Sequence, residues 1–342
     1  MPLEILQLAW YTVVVIAIIF YVILDGFDLG VGSLQLFIKG DTERRICLNS
    51  IGPFWDGNEV WLIAIGGGLF VGFPDVYASV FSGFYVLLMI YLAGIIFRAC
   101  AIEFRSKHTS NLWRKTWDTV FWFSSLTITF GSGILLGSFV QGVPLNASRE
   151  IYLSFWSLFT RYTVGMGLMA VFLFAMHGNH FLLLKTEGEL QARIYKLFPW
   201  TTALFLITFT IMTIWTWSLF PYMGALFIEM PLFWFLPGLL IGAFCAKIWA
   251  SIKGRYGLSF FFSMLTISLL FLLFVAGTFP NMVISSIDRD LYSLTLYNSS
   301  STATTLKVAL MIAFIGVPLV LLYGYILYAT FRGKTRLHDH SY

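Results

Sequence analysis

The chain reads as an all-α, polytopic membrane protein of about nine transmembrane helices, arranged as two four-helix bundles plus one extra helix. Three observations predict this. Of 342 residues, 58% are hydrophobic and 11% charged, whereas soluble domains carry about 45–50% and about 25%. Apolar runs of about 20 residues, the length that crosses a bilayer as a helix, recur along the whole chain. The cations fall almost entirely in alternate connections, as a fixed orientation in a membrane demands. The same composition excludes disorder, a fibrous repeat and a disulfide scaffold. With no linker and no low-complexity segment, residues 1–342 are expected to form one integral membrane domain.

The runs lie at roughly 6–38, 52–73, 76–102, 117–140, 152–184, 199–219, 231–250, 258–280 and 305–331. The first lacks the basic region and the small-residue cleavage site of a signal peptide, so it is expected to be retained as a span. The first and fifth are long enough to tilt or to project beyond the bilayer. The second opens with Pro53, Trp55, Asp56 and Glu59. A re-entrant half-helix there would leave eight full spans. Pro231, Pro237, Pro280 and Pro318 interrupt later runs, without matched interruptions in two halves.

Charge placement favours nine spans, N-terminus outside and C-terminus cytoplasmic. Of the 21 Lys and Arg, 17 then fall on the inner side. They group around Lys39–Arg45, Arg98–Lys115, Lys185–Lys196, Lys247–Arg255 and Arg332–Arg336. Arg149, Arg161, Arg289 and Lys307 fall outside. Trp113, Trp117, Trp156, Trp200, Trp217, Trp234 and Trp249 sit near span ends, the aromatic-belt position. Gly26–Gly30, Gly68–Gly72 and Gly133–Gly137 have the spacing that lets helix backbones approach closely. Cys47, Cys100 and Cys245 form no Cys-x-x-Cys pair and read as free thiols near the reducing side. Two glycosylation-type sequons, at Asn146 and Asn298, are too short to carry weight.

A charge at the bilayer centre costs about 2.5–3.5 kcal/mol on insertion scales, so acids inside the runs need a reason. Asp25 and Asp28 lie three apart on one face of the first run, and Asp56 and Glu59 repeat that spacing in the second. Arg98 and Glu103 close the third. One reading is an interfacial polar cluster, with Arg98 pairing a carboxylate and Asp56 capping a helix after Pro53. The other is a row of protonatable groups leading from the inner face into the bilayer. Asp28, deeper and flanked by Phe27 and Leu29, favours the second.

His177 and His180 share a helix face in the fifth run, while His108, His338 and His340 fall in an inner loop and the tail. Haem ligation asks for a second axial ligand across the bundle. No other span carries a deep histidine, so a structural role is expected for the pair. No metal, nucleotide-binding or nucleic-acid motif is present.

The segments Asp25-Gly26-Phe27-Asp28-Leu29-Gly30-Val31-Gly32, Asp41-Thr42-Glu43-Arg44-Arg45 and Asn49 through Leu62, with its Trp55-Asp56-Gly57-Asn58-Glu59-Val60-Trp61 core, strongly resemble subunit II of the cytochrome bd quinol oxidases. Phe81-Ser82-Gly83-Phe84-Tyr85, Phe104-Arg105-Ser106-Lys107, Phe279-Pro280 and Ser285-Ser286 extend the match. The resemblance implies a multi-pass subunit of a bacterial cytoplasmic-membrane oxidase. The complex would oxidise quinol, reduce dioxygen to water and build proton-motive force without pumping. Two b-type haems and one d-type haem would be bound by the partner, subunit I. A structural quinone in this subunit and a small single-helix accessory subunit are further implications. By family pattern Asp28, Asp56 and Glu103 match acidic proton-path positions; relatives can carry Asp in place of Glu103, and Gln in place of Glu59. Asp25 and Glu59 join the expected path by position, and Trp55 and Trp61 lie by a dioxygen route or interface. The alternative from another functional class is a proton-coupled secondary transporter using the same carboxylates.

Overall fold

The computed structural model describes residues 2–337. His338 and His340 lie outside the described residues. Helix α1, Leu3–Leu34, is 32 residues long, about 48 Å at 1.5 Å per residue, and exceeds a hydrocarbon core of about 30 Å. It is followed by α2, Asp41–Ile51, in the connection between the first two apolar runs. That segment is too charged to span. It buries Cys47, Leu48, Ser50 and Ile51 on one side, which suits a helix lying against the bundle.

The second and third apolar runs become α3, Trp55–Gly72, α4, Pro74–Gly83, and α5, Tyr85–Phe104. Pro74 takes the first position of α4, where its missing N–H is not needed. The α4–α5 break at Phe84 follows Gly83, where a Cβ would strike the side chain of Ile151. Helix α6, Asn111–Gln141, and α7, Arg161–Lys185, come next. Hydropathy opens the fifth run at residue 152, but its helix starts at Arg161. Residues 142–160 instead form isolated bridges, Val143 to Ser285 and Leu145 to Ile151, and a 3-10 turn. Thr160 caps α7, its hydroxyl accepting from Thr163 N at 3.1 Å.

Helix α8, Gly188–Leu219, runs through Pro199. Short α9, Ala225–Glu229, leads to α10, Phe235–Ile252, and α11, Tyr256–Thr278. A two-stranded antiparallel ribbon, β1 Asn281–Val283 with β2 Leu294–Thr295, brackets the one-turn α12, Arg289–Tyr292. Helix α13, Ala303–Thr330, closes the chain.

Among the described residues eight helices are long and apolar enough to cross a membrane. Helix α3, with 18 residues, is not one of the eight, because Asp56, Asn58 and Glu59 fill its first turns. It nevertheless follows α13 from end to end. Ser301 N donates to Gly72 O at 2.9 Å at one end, and Tyr328 Oη donates to Asn58 Oδ1 at 3.0 Å at the other.

Helix α1 lies at the centre and touches α3, α6, α7, α11 and α13. Helices α1, α3, α5 and α6 pack together, α7 contacts α8 and α11, and α10 lies against α11. Helix α13 rests on α1 and α3 and presents most of its length outward. The two groups meet where Gly30 of α1 faces Gly178 of α7. A Cβ on either would overlap the other helix's backbone, so this crossing requires glycine. A Cβ at Gly72 would overlap the Trp10 indole, and one at Gly133 the backbone of Met166 and Gly167. Six of the seven belt tryptophans are exposed, Trp117 being half-buried.

Lysine and arginine connections gather at one end. Arg105 reaches Asp41 at 2.8 Å, Arg193 reaches Glu43 at 2.9 Å, and Lys334 Nζ donates to Leu184 O at 2.9 Å. Two of the cations expected there, Arg98 and Lys247, are fully buried within α5 and α10. They are internal charges, not orientation signals.

Candidate functional site

The acids of the first helices divide into a buried centre and two outliers. Arg98, on α5, is 0% exposed. Its Nη2 pairs with Asp25 Oδ1 of α1 at 2.7 Å and donates to Glu59 Oε1 of α3. One turn along α1, Asp28 is also 0% exposed. Asn58 Nδ2 donates to Asp28 Oδ2 at 2.7 Å and to Leu24 O at 3.2 Å. Asn58 Oδ1 in turn accepts from Tyr328 Oη. The Tyr328 ring stacks on Phe54, centroids 4.5 Å apart, so α13 orients the amide that orients Asp28.

This centre holds three carboxyls and one guanidinium. Its hydrogen bonding is incomplete: Asp25 Oδ2, Asp28 Oδ1, and Arg98 Nε and Nη1 have no partner. Buried polar groups are almost always bonded, to protein or to ordered water. Four buried polar atoms around one ion pair are thus without a hydrogen-bond partner.

The outliers stay apart. Asp56 is exposed on the outer side of α3, and Glu103 is half-buried at the end of α5, with no ion pair among the described residues. The capping expectation for Asp56 fails: α3 begins after Phe54 without a side-chain cap. Trp61 stacks on Phe20, centroids 4.5 Å apart, beside Ala17 and Tyr21. Trp55 packs half-buried near Phe54.

Seven residues beyond Arg98 on the same chain segment, Arg105 builds a second buried ion centre. Its Nε and Nη2 donate to Asp118 at 2.7 and 3.1 Å, and Nη2 also meets Asp41 at 2.8 Å. Gln35 and Arg44 donate to Asp118 at 2.8 and 3.4 Å, and Arg114 reaches Asp41 at 2.7 Å. Both oxygens of Asp118 are filled. Beside this brace, burial pushes the Cys47 thiol well above its usual range, with Glu43 adding to the effect. Cys47, Cys100 and Cys245 are all free thiols.

The two deep histidines are fully committed or enclosed. His177 bonds Ser263 Oγ at 2.8 Å and Ile23 O at 2.9 Å through its two nitrogens. His180 Nδ1 bonds Ser259 Oγ at 2.9 Å, and its Nε2 is buried without a partner. Lys247 lies alongside, its Nζ 2.8 Å from Met176 Sδ and 3.9 Å from the Phe244 ring. His108 is exposed and accepts from Ser110 N at 3.0 Å.

The motifs point to Asp25, Asp28 and Glu59, but not to the groups that complete their surroundings. Asn58 and Tyr328 give no such signal, being uncharged and, for Tyr328, 270 residues from its partner. Asp118 is a third residue that the motifs do not single out. It does carry a signal: a lone acid one turn after the Arg114–Lys115 pair at the start of an apolar run.

Fold and site together define a multi-pass membrane protein with a buried acid–arginine centre. The family model described as "Cytochrome bd terminal oxidase subunit II" matches residues 6–331, and the chain belongs to that family. It is thus a subunit of an oxidoreductase complex. It is 32% identical to the cytochrome bd-I ubiquinol oxidase subunit 2 of Escherichia coli (strain K12), covering 94% of this chain and 92% of that one. The cytochrome bd ubiquinol oxidase subunit 2 of Bacillus subtilis (strain 168) is 31% identical over 91% of each. A solved structure of bd oxidase from Geobacillus thermodenitrificans has a chain of the same fold, TM-score 0.78 at 18% identity, covering 95% of this chain and 98% of that one.

A subunit II implies a subunit I, and the family implies haem in the complex. Both nitrogens of His177 are taken, whereas His180 keeps Nε2 without a partner.

Proposed function

We propose that this chain is subunit II of a bd-type quinol:dioxygen oxidoreductase in a bacterial cytoplasmic membrane, where it supports the haem-bearing subunit I and leads cytoplasmic protons inward. Quinol is assigned as the donor class because the relatives are ubiquinol oxidase subunits. Helix α3 serves as the ninth span, since it follows α13 along its length. The N-terminus then lies outside and the cation-rich end faces the cytoplasm.

The observation that carries the proton reading is the imbalance at Arg98. Two buried carboxyls, Asp25 and Asp28, and the half-buried Glu59 gather about one cation, with which Asp25 and Glu59 pair directly, and uncompensated charge in a membrane interior is costly. The low-energy state therefore keeps protons on carboxyls, and exchange among Glu59, Asp25 and Asp28 moves protons without creating net charge. Waters at the open positions would connect them. Asp56 and Glu103, outside the centre, are assigned to the approach from the cytoplasm, where subunit I can complete it. Trp55 and Trp61 form its apolar flank, suited to a dioxygen route or to the subunit interface.

Asp28→Asn tests this. The amide still bonds Asn58 but cannot exchange a carboxyl proton. Quinol-oxidase turnover per haem should fall about 100-fold, the lower range for loss of a positioned acid–base group. Haem content should be unchanged. Normal turnover in a fully assembled complex would exclude the proton role.

A further inference from the structure

Farther into the membrane than the Arg98 centre, two phenols meet. Tyr21 Oη of α1 and Tyr91 Oη of α5 are 2.5 Å apart. Ser132 Oγ of α6 lies 3.5 Å from Tyr91 Oη and donates to Ile128 O at 2.9 Å. Three helices thus supply one hydroxyl each to a short line. Gly94 makes the meeting geometrically feasible: a Cβ there would press on Ile128, so its absence lets α5 and α6 close up.

The line starts at the acids. Tyr21 precedes Asp25 by four residues on α1, a spacing that sets Cβ atoms about 6 Å apart on one face. Tyr91 precedes Arg98 by seven, about two turns along α5. Asp25 and Arg98 act electrostatically on both phenols. Asp25 Oδ2, buried and without a partner, leaves a position for one bridging water. At its far end the line leaves the core, since Tyr91 and Ser132 are only half-buried. Packing alone does not call for these hydroxyls. The surrounding cluster is otherwise built from Phe, Trp and aliphatic side chains, and buried hydroxyls gain nothing from such neighbours.

We propose that Tyr21 and Tyr91 are relay residues that carry a proton from Asp25 towards Ser132 and the α5–α6 side of the subunit. The step balances without a phenolate. The Tyr21 oxygen accepts a proton from the Asp25 side as its own proton passes to Tyr91. In the same concerted shift the Tyr91 proton passes to a water at the half-buried end beside Ser132, whose own hydroxyl donates to Ile128 O, so no phenol oxygen holds two protons. Rotation of the hydroxyls resets the line. This rests on the proton role of the acid centre and extends it past Asp25.

The test uses the intact oxidase complex in native membranes, with Tyr21→Phe, Tyr91→Phe and the double variant beside Asp28→Asn. Each Tyr→Phe keeps the ring and removes the hydroxyl. Turnover per haem is expected to fall about tenfold in the double variant, consistent with loss of a proton-transfer partner. The solvent deuterium isotope effect should rise as proton movement becomes limiting, which a packing role would not produce. If Asp28→Asn slows the enzyme while the double variant turns over normally, the relay is overturned and the acid centre keeps its role. If Asp28→Asn is itself normal, the acid reading fails first and the relay with it. Should one single variant not assemble, shown by lost haem, the other decides alone, since either hydroxyl is indispensable to the line.

Discussion

The stretch from α5 into the turn after it carries two buried arginines seven residues apart, and their surroundings differ in one respect. Around Arg105 every oxygen of Asp118 is occupied, by Arg105, Gln35 and Arg44. Around Arg98 two carboxylate oxygens and two guanidinium nitrogens are open. The Arg105 centre joins the end of α1, α2, α5 and α6 at the cation-rich end, with three cations, Arg44, Arg105 and Arg114, on two acids, Asp41 and Asp118. The Arg98 centre has acids in excess. Arg105 Nη1 and Gln35 Oε1 are also buried without a partner, so what separates the centres is the carboxylates: one held at both oxygens is fixed in place, while one with an open oxygen can still take up a proton or a water. Similar residue types two turns apart thus hold a carboxylate at both oxygens in one place and leave carboxylate oxygens open in the other.

The largest expected effect separates the two. Asp118→Ala leaves Arg105 with the exposed Asp41 alone and should cost about 3–5 kcal/mol, the usual penalty for breaking a buried pair. Heating membranes and following haem retention measures it. Turnover per remaining haem should match the parent; a tenfold drop would place Asp118 on the proton path and erase the contrast. Gly178→Val comes next. The side chain would drive α7 away from Gly30, at about 1–3 kcal/mol for overpacking. Because α1 bears Asp25 and Asp28, this variant should lower both stability and turnover. An effect on stability alone would mean that the Arg98 centre tolerates movement of its helix.

The smallest effect concerns a third buried group. Lys247 makes no ion pair among the described residues and rests on Met176 and Phe244. Lys247→Met replaces it with an apolar chain of similar length. Stability should rise by about 1 kcal/mol, since an unpaired amine no longer has to be buried, and turnover should not change. A thermal shift assay on the complex reads the first outcome and an oxygen electrode the second. Slower turnover would make Lys247 functional and the second helix group a participant.

Much of the Arg98 centre is legible in the sequence. Asp25, Asp28 and Glu59 stand out because charge is rare in an apolar run, and they do converge. Asn58, one residue from Glu59, does not stand out, because nothing in its spacing distinguishes an exposed amide from one on the buried side. Asp56 shows the converse. It shares the motif with Glu59 but turns outward, since helical spacing puts neighbours three apart on one broad side without saying how wide the buried strip is. Hydropathy misplaces the helix boundaries where it continues through a turn, at Phe84 and before Arg161, because Gly83 and the 152–160 segment are apolar enough to resemble span.

The sequence by itself determined the class, the helical runs and the presence of acids within them. These follow from local composition, as a bilayer imposes the same length and polarity on every crossing. Tertiary structure alone decided which charges are paired, which are left open, and that Tyr328 meets Asn58 while Tyr91 meets Tyr21 and Ser132. Those contacts join helices remote in sequence, at distances of 2.5 to 3.5 Å. A periodic pattern names a face, but not the partner that will lie against it.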